Sequence, residues 1–187
     1  MTQKNRNNED FTKKKLLIFD TNIFLTGIDF NLIEGVIYTS PKVIEEITVN
    51  RYAEKNRNIM NKIQAAMDSH KLILKIPSDK SLKEIEYKSK MSGDYNALSD
   101  TDKEVLSIAM DLKEKYSNDV IVYTNDYSME NLCLILNIPF SPLIKRGIKS
   151  KIFWEIYCPI CNKVYNADDL NNPCEVCGFK LKRRPKK

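Results

Sequence analysis

Lys15-Leu-Leu-Ile-Phe19-Asp20-Thr21-Asn22 is a continuous apolar run that stops at an acid. Apolar residues without polar alternation predict a short strand covered on both faces, as in a parallel sheet. The pattern returns downstream in Asp119-Val-Ile-Val-Tyr-Thr124-Asn125-Asp126, the clearest strand of the chain. An acid at the carboxyl end of a parallel strand points into the crevice where open α/β sheets bind ligands. These segments therefore predict both a fold class and the place of a site.

Working outward, Gly35-Val-Ile-Tyr-Thr39 reads as another strand. Ser40 as N-cap and Pro41 at the first helical position open a long helix, with Val43, Ile44 and Ile47 on one face and a continuation toward His70. Leu72-Ile-Leu-Lys-Ile76 reads as a strand closed by Pro77. Ser78 to Asn96 is polar and lysine-rich, weakly helical, with a flexible look around Ser92-Gly93. Ser99 and Asp102 form a capping box for a helix whose stripe is Val105, Ile108, Ala109 and Leu112. Tyr127 to Leu136 is the next helix and Pro139 to Leu143 a short last strand. Strands alternating with helices predict a three-layer α/β domain around a parallel sheet.

Cys158-Pro-Ile-Cys161 and Cys174-Glu-Val-Cys177-Gly178 are two CxxC pairs separated by twelve residues. Thiolates at i and i+3 on a tight turn supply two corners of a tetrahedron, so two such knuckles complete a closed, structural Zn²⁺ site. Gly178 suits the positive φ a knuckle needs. Two disulfides would use the same cysteines in an oxidising compartment. Cys133, in an apolar run, reads as a small core residue. His70 is the only histidine, which argues against hydrolase chemistry built on a histidine base.

The 187 residues are 42% hydrophobic and 29% charged, as expected of a soluble protein of one ordinary domain plus a small one. Met1 to Lys15 lacks the apolar core of a signal peptide, and no stretch approaches the ~20 apolar residues of a membrane span, so a cytoplasmic protein is expected. The net charge of +5 is uneven. From Lys145 onward eleven basic residues face four acidic ones, or +7, leaving the preceding 144 residues at −2. Six of those charges lie in Lys180-Leu-Lys-Arg-Arg-Pro-Lys-Lys187. Such a tail is often only a solvated end; beside a zinc ribbon it favours a nucleic-acid partner, with Lys180, Lys182, Arg183 and Arg184 as contact residues.

The acids that carry chemistry are Asp20, Glu46, Asp102 and Asp126. An all-oxygen cluster suits Mg²⁺ or Mn²⁺, and such ions can polarise a phosphodiester and neutralise its leaving oxygen. Helix capping explains Asp20, Asp102 or Asp126 individually, and Glu46 has a neighbour in Glu45 on the same helix. Their joint placement at strand ends and helix starts favours a site.

At these positions the chain resembles the PIN-domain ribonucleases, through Ile18-Phe-Asp20-Thr-Asn22, Thr39-Ser-Pro-Lys-Val-Ile-Glu-Glu46-Ile, Leu98-Ser-Asp-Thr-Asp102 and Tyr123-Thr-Asn-Asp126-Tyr. With the cysteine ribbon and Asp126-Tyr-Ser-Met-Glu-Asn131 it is similar to the Nin-one-binding protein family, in a compact, archaeal-style form. The resemblance implies a metal-dependent endoribonuclease that trims precursor small-subunit ribosomal RNA at its 3′ end, within ribosome biogenesis, leaving a 5′-phosphate and a 3′-hydroxyl. It implies Asp20, Glu46, Asp102 and Asp126 as catalytic, metal-holding acids, RNA as partner, and no small-molecule cofactor. Some relatives carry an acid at the Asn125 position. Thr21 or Ser99 would orient a carboxylate or contact phosphate.

The expected organisation is a basic N-terminus over 1–13, a nuclease domain over 14–144, linker and zinc ribbon over 145–180, and a basic tail over 181–187. Competing readings are a PIN-type toxin ribonuclease acting on tRNA or mRNA, and a non-catalytic RNA- or ribosome-binding scaffold.

Overall fold

In the computed structural model, which describes residues 15–48, 53–116, 119–144 and 146–186, β1 (Leu16–Phe19) is the middle strand of a five-stranded sheet. It pairs in parallel with β2 (Val36–Thr39) on one side and β4 (Val120–Tyr123) on the other. β3 (Leu72–Leu74) and β5 (Phe140–Ser141) are the parallel outer strands, giving the order β3-β2-β1-β4-β5. All four residues of β1 are buried, which is why its sequence shows no alternation. Strand order reverses between β1 and β4, so the crevice of this sheet opens at the carboxyl ends of those two strands.

Helices α1 (Thr21–Phe24), α2 (Pro41–Thr48), α3 (Ala53–Asp68), α4 (Asp79–Ser92), α5 (Asp100–Tyr116) and α6 (Tyr127–Ile135) accompany the sheet. One core joins them, including Leu17, Ile18, Phe19, Ile37, Val43, Ile47, Leu106, Ile108 and Val122. Phe24 stands edge-on to Phe19 and to Phe30, with ring centroids 5.6 and 5.4 Å apart. Truncating such a ring costs about 3–5 kcal/mol, so Phe24→Ala would remove much of the margin that keeps the core closed. Cys133 is fully buried in this core, and burial pushes its thiol well above the ordinary range.

Three expectations about elements change. The long helix after β2 is two helices, with residues 49–52 between them outside the described set. The polar stretch after Pro77 is a full helix, α4, capped by Ser78, whose Oγ accepts from Ser81 N. Its buried face is Ser81, Ile85, Ser89 and Ser92, so hydroxyls rather than aliphatic groups mark it. Ser81 Oγ donates to Asp111 of α5 at 2.5 Å and Ser89 Oγ to its own helix at Glu86 O, so these polar groups are satisfied without an apolar stripe. Gly93 ends α4 at φ 79°, and a Cβ there would sit 2.7 Å from Trp154 O, so the position needs glycine twice over. The expected N-terminal segment 1–13 lies outside the described residues.

The third change concerns the basic end. β6 (Trp154–Tyr157), β7 (Val164–Tyr165) and β8 (Lys182–Pro185) form an antiparallel sheet in the order β7-β6-β8. The segment expected as a trailing tail thus supplies a strand, with Arg183 opposite Ile156 and Arg184 opposite Glu155; Lys187 lies outside the described residues. Its charges are accommodated because β8 pairs along a strand offering Trp154, Glu155 and Tyr157. Ile156, Cys158, Cys174 and Leu181 form a small separate core, with Tyr165 and Leu170 packed against it.

Candidate active site

Asp20 follows the last residue of β1 and is 1% exposed. Thr124 Oγ1 donates to its Oδ2 at 2.9 Å and Asn22 Nδ2 reaches the same oxygen at 3.3 Å. Burial, and then the nearby charge of Asp102, push the Asp20 carboxyl up to about 6. Asp102 is raised as well, mainly by burial, with the charges of Asp126 and Glu46 adding to it. The four acids, from a strand end, α2, α5 and the start of α6, thus meet in one electrostatic field.

Each acid is held by a local device. Asp102 and Ser99 form the capping box read from sequence, Ser99 N donating to Asp102 Oδ2 at 2.8 Å and Asp102 N to Ser99 Oγ at 3.1 Å. Asp126 caps α6, its Oδ1 accepting from Ser128 N at 2.6 Å and Met129 N at 3.3 Å. Glu46 accepts from Thr21 Oγ1 at 2.7 Å through Oε2, whereas Glu45 is exposed. Capping and facing the crevice are therefore compatible roles, because a carboxylate has two oxygens and a cap uses one face of it. The role of Thr124 was not read from sequence; a threonine just before the Asn-Asp turn was its only signal. Nor was the rim contact in which Ser40 donates to Glu104 while Lys42 pairs with the same carboxylate at 2.8 Å.

No ion pair to Asp20, Asp102 or Asp126 forms among the described residues. A buried Asp20 beside half-buried Asp102 and Asp126, oriented by hydroxyl and amide donors and without such an ion pair, fits a hard divalent cation with oxygen ligands. Asn125 is placed differently. Its Oδ1 accepts from Leu143 N and Ile144 N, both at 3.0 Å, so it fastens the chain after β5. An acid at this position would keep both acceptor bonds.

The four cysteines form the second cluster, with their sulfurs all within 4.8 Å of one another. Two matching turns bring them together. Asn162 N and Gly178 N donate to Cys158 O and Cys174 O at 2.9 and 2.7 Å, and Asn162 and Gly178 take φ of 58° and 71°. Tyr165 Oη lies 2.9 Å from Cys174 Sγ, and this contact pulls that thiol down to about 6. Four converging thiols, one already favouring thiolate, can hold a soft or borderline metal ion.

Strand alternation sorts the expected RNA contacts. Arg183 shares a face of the ribbon with Trp154 and Ile156 and bonds to Asp94 and Ser128 of the nuclease domain. Lys182 and Arg184 share the other face with Glu155 and Tyr157. There Arg184 pairs with Glu155 at 2.7 Å and stacks 4.2 Å from the Tyr157 ring centroid. A groove lined by Glu155, Arg184, Pro185 and Lys186 opens on this side. Lys180 is exposed at the loop before β8. No helix among the described residues is long and apolar enough to cross a membrane.

Residues 17–112 match the family model described as PIN domain of ribonuclease. The chain is 31% identical to Endoribonuclease Nob1 of Pyrococcus abyssi over 174 residues, covering 93% of this chain and 96% of that protein. It is 34% identical to Endoribonuclease Nob1 of Methanothermobacter thermautotrophicus over 146 residues, 77% of this chain and 84% of the relative. Ribonuclease VapC1 of Thermoplasma acidophilum is 28% identical over 168 residues, 90% and 77% of the two chains. With a parallel sheet, an acid-lined crevice and a four-cysteine ribbon already in place, these similarities are decisive for family: the chain belongs to the Nob1 endoribonucleases, which are built on a PIN domain.

Proposed function

We propose that this protein cuts precursor small-subunit ribosomal RNA at its 3′ end, inside a pre-ribosomal particle in the cytoplasm. The observation that carries the reading is the buried Asp20 carboxylate, held by Thr124 at the β1–β4 switch point within the field of Asp102, which in turn feels Asp126 and Glu46. Asp20, Glu46, Asp102 and Asp126 would hold one or two Mg²⁺ or Mn²⁺ ions, and a Zn²⁺ would be held by Cys158, Cys161, Cys174 and Cys177. When bound, the hard cation supplies charge neutralisation and Lewis-acid polarisation of the scissile phosphodiester.

The chain's own groups do the rest. Thr124 and Asn22 fix the Asp20 carboxylate, Thr21 fixes Glu46, and Ser99 fixes Asp102. Fixed ligands need little reorganisation when the phosphate arrives, which is where such sites gain rate. Asp20 must be ionised to serve, so a cation has to displace its proton below about pH 6 and binds without that competition above it. Lys180, Lys182 and Arg184 would contact RNA phosphates, while Arg183 is engaged within the protein. Hydrolysis leaves a 5′-phosphate and a 3′-hydroxyl.

Cleavage of an RNA spanning the precursor 3′ end, with Mn²⁺ and with EDTA, tests the reading. Metal-dependent cutting at one internal position is expected. Failure to cut, or preferential cutting of tRNA or mRNA, would overturn it, the latter in favour of the toxin reading.

A further inference from the structure

A buried carboxylate outside the crevice links the two parts of the chain. Asp94 follows Gly93 and is 0% exposed. Its Oδ2 accepts from Ser92 Oγ at 2.8 Å and Asn131 Nδ2 at 2.7 Å, both within the nuclease domain. Its Oδ1 accepts from Arg183 Nη1 at 3.0 Å, from a strand 89 positions downstream. The other guanidinium nitrogen reaches Ser128 Oγ at 3.2 Å, and the guanidinium lies 4.5 Å from the Trp154 ring centroid. A buried carboxylate needs a counter-ion, and among the described residues the nuclease domain supplies none to Asp94; the ribbon does.

The connection between the two parts is fastened too. Asn131 donates to Ile152 O at 2.7 Å and accepts from Ile152 N at 2.8 Å. Glu130 Oε2 accepts from Ile148 N at 2.8 Å, and Asn125 holds Leu143 N and Ile144 N. Asn96 Nδ2 donates to Asp168 O at 2.6 Å on a further edge of the contact. The side chains that grip the connection come from the turn after β4, which carries Asn125 and Asp126, and from α6, which Asp126 caps. Ribbon and crevice thus share one support, the turn after β4 with α6.

We propose that Asp94, Asn131 and Arg183 are positioning residues that hold the ribbon in one orientation, so that a single RNA strand is engaged at once by the Tyr157–Lys182–Arg184 face and by the acid crevice. The inference rests on the RNA-cleaving reading and adds the device that sets the spacing between capture and cutting. A fixed ribbon avoids the entropy of ordering two independent bodies on one strand and keeps the scissile phosphate in register. Asp94 cannot touch RNA, because it has no exposed surface.

The test uses the full-length, zinc-loaded protein, with Arg183→Ala and Asp94→Asn. Backbone ¹⁵N relaxation should give one correlation time for both parts of the wild type and a shorter one for the ribbon in each variant. For an RNA long enough to reach the ribbon, kcat/KM should fall roughly 10- to 100-fold in both variants. A short oligonucleotide confined to the crevice should be cut at the wild-type rate. Arg183→Lys should not restore long-RNA cleavage, since an ammonium cannot reproduce the fork to Asp94 and Ser128; full rescue by lysine would mark Arg183 as a phosphate contact instead. One shared correlation time in both variants with undiminished long-RNA cleavage, or an equal loss on both RNAs, would overturn the proposal. If Arg183→Ala loses zinc, Asp94→Asn, outside the ribbon, carries the same measurements. Should the wild type cut neither RNA, the nuclease reading falls while the relaxation data still decide the docking.

Discussion

Thr124 Oγ1 donates to Asp20 Oδ2 at 2.9 Å across 104 positions of chain, and Thr124 Oγ1 itself accepts from Asp126 N at 3.1 Å. One buried hydroxyl therefore ties together the acids that end β1 and begin α6. The site is built where these two central strands stop, and its acids are held before any cation arrives.

Asp20→Asn should lower cleavage at least about 100-fold, the scale of losing one electrostatic contact to a transition state. The amide oxygen can still accept from Thr124, so the fold should survive. In EDTA the variant should melt at or above the wild-type temperature, because a buried charge has been removed. Single-turnover rates and calorimetry check both halves; a normal rate would remove Asp20 from the site.

Stability and activity should respond to pH in opposite directions. The folded Asp20 carboxyl is raised to about 6 from 3.8, so between those values the folded state binds the extra proton. Metal-free stability should then fall as pH rises through this window, by about 3 kcal/mol at ~1.4 kcal/mol per unit. Asp102 and Asp94 shift the same way, while Asp111 is lowered and its contribution is lost only below 3.8. Cleavage at subsaturating Mn²⁺ should instead fall as pH drops below about 6, because protons compete with the cation for Asp20. Melting curves in EDTA from neutral to mildly acidic pH, beside a pH–rate profile, would show whether the two trends diverge.

Thr21→Val removes the donor to Glu46 Oε2. Hydrogen bonds to charged groups are worth about 1.5–3 kcal/mol, so metal-dependent cleavage should drop roughly 10- to 100-fold. Thr21→Ser keeps the hydroxyl and should restore most of it. If valine is harmless, Glu46 needs no orienting partner.

Elemental analysis should find about one tightly held Zn²⁺ per chain, as four-thiolate sites bind. Cys158→Ser combined with Cys161→Ser should unfold the ribbon, since metal binding supplies its folding energy. The nuclease core should stay folded but melt at a lower temperature, because Asp94 loses its ion pair with Arg183 and the ribbon packed beside it. Circular dichroism melts with zinc analysis would detect a core that loses nothing, which would refute the coupling.

Asn125→Asp should cleave like the wild type, because an aspartate retains the acceptor for Leu143 N and Ile144 N. Asn125→Leu leaves those amides without it and should loosen the chain after β5, costing about 1–3 kcal/mol. Hydrogen exchange at residues 143 and 144 reads the difference.

Local patterns were legible from sequence. The unbroken apolar run of β1, the Ser99–Asp102 box and the positive φ at Gly178 each depend on a few adjacent residues. So did the two CxxC turns, whose spacing alone brings sulfur pairs together. α4 was harder, since its buried face is serine and the usual apolar period is missing.

What the amino-acid order determined was the type of most elements, the Ser99–Asp102 capping box and the chemical identity of both clusters, all consequences of preferences within a turn or two. What only the tertiary structure decided was which distant groups meet: Thr124 with Asp20, Thr21 with Glu46, and Arg183 with Asp94 rather than with an RNA phosphate. Those contacts depend on strand order and on which face of β8 turns inward. Adjacent residues of a strand point to opposite sides, so Arg183 and Arg184, alike in sequence, take different partners once the ribbon docks.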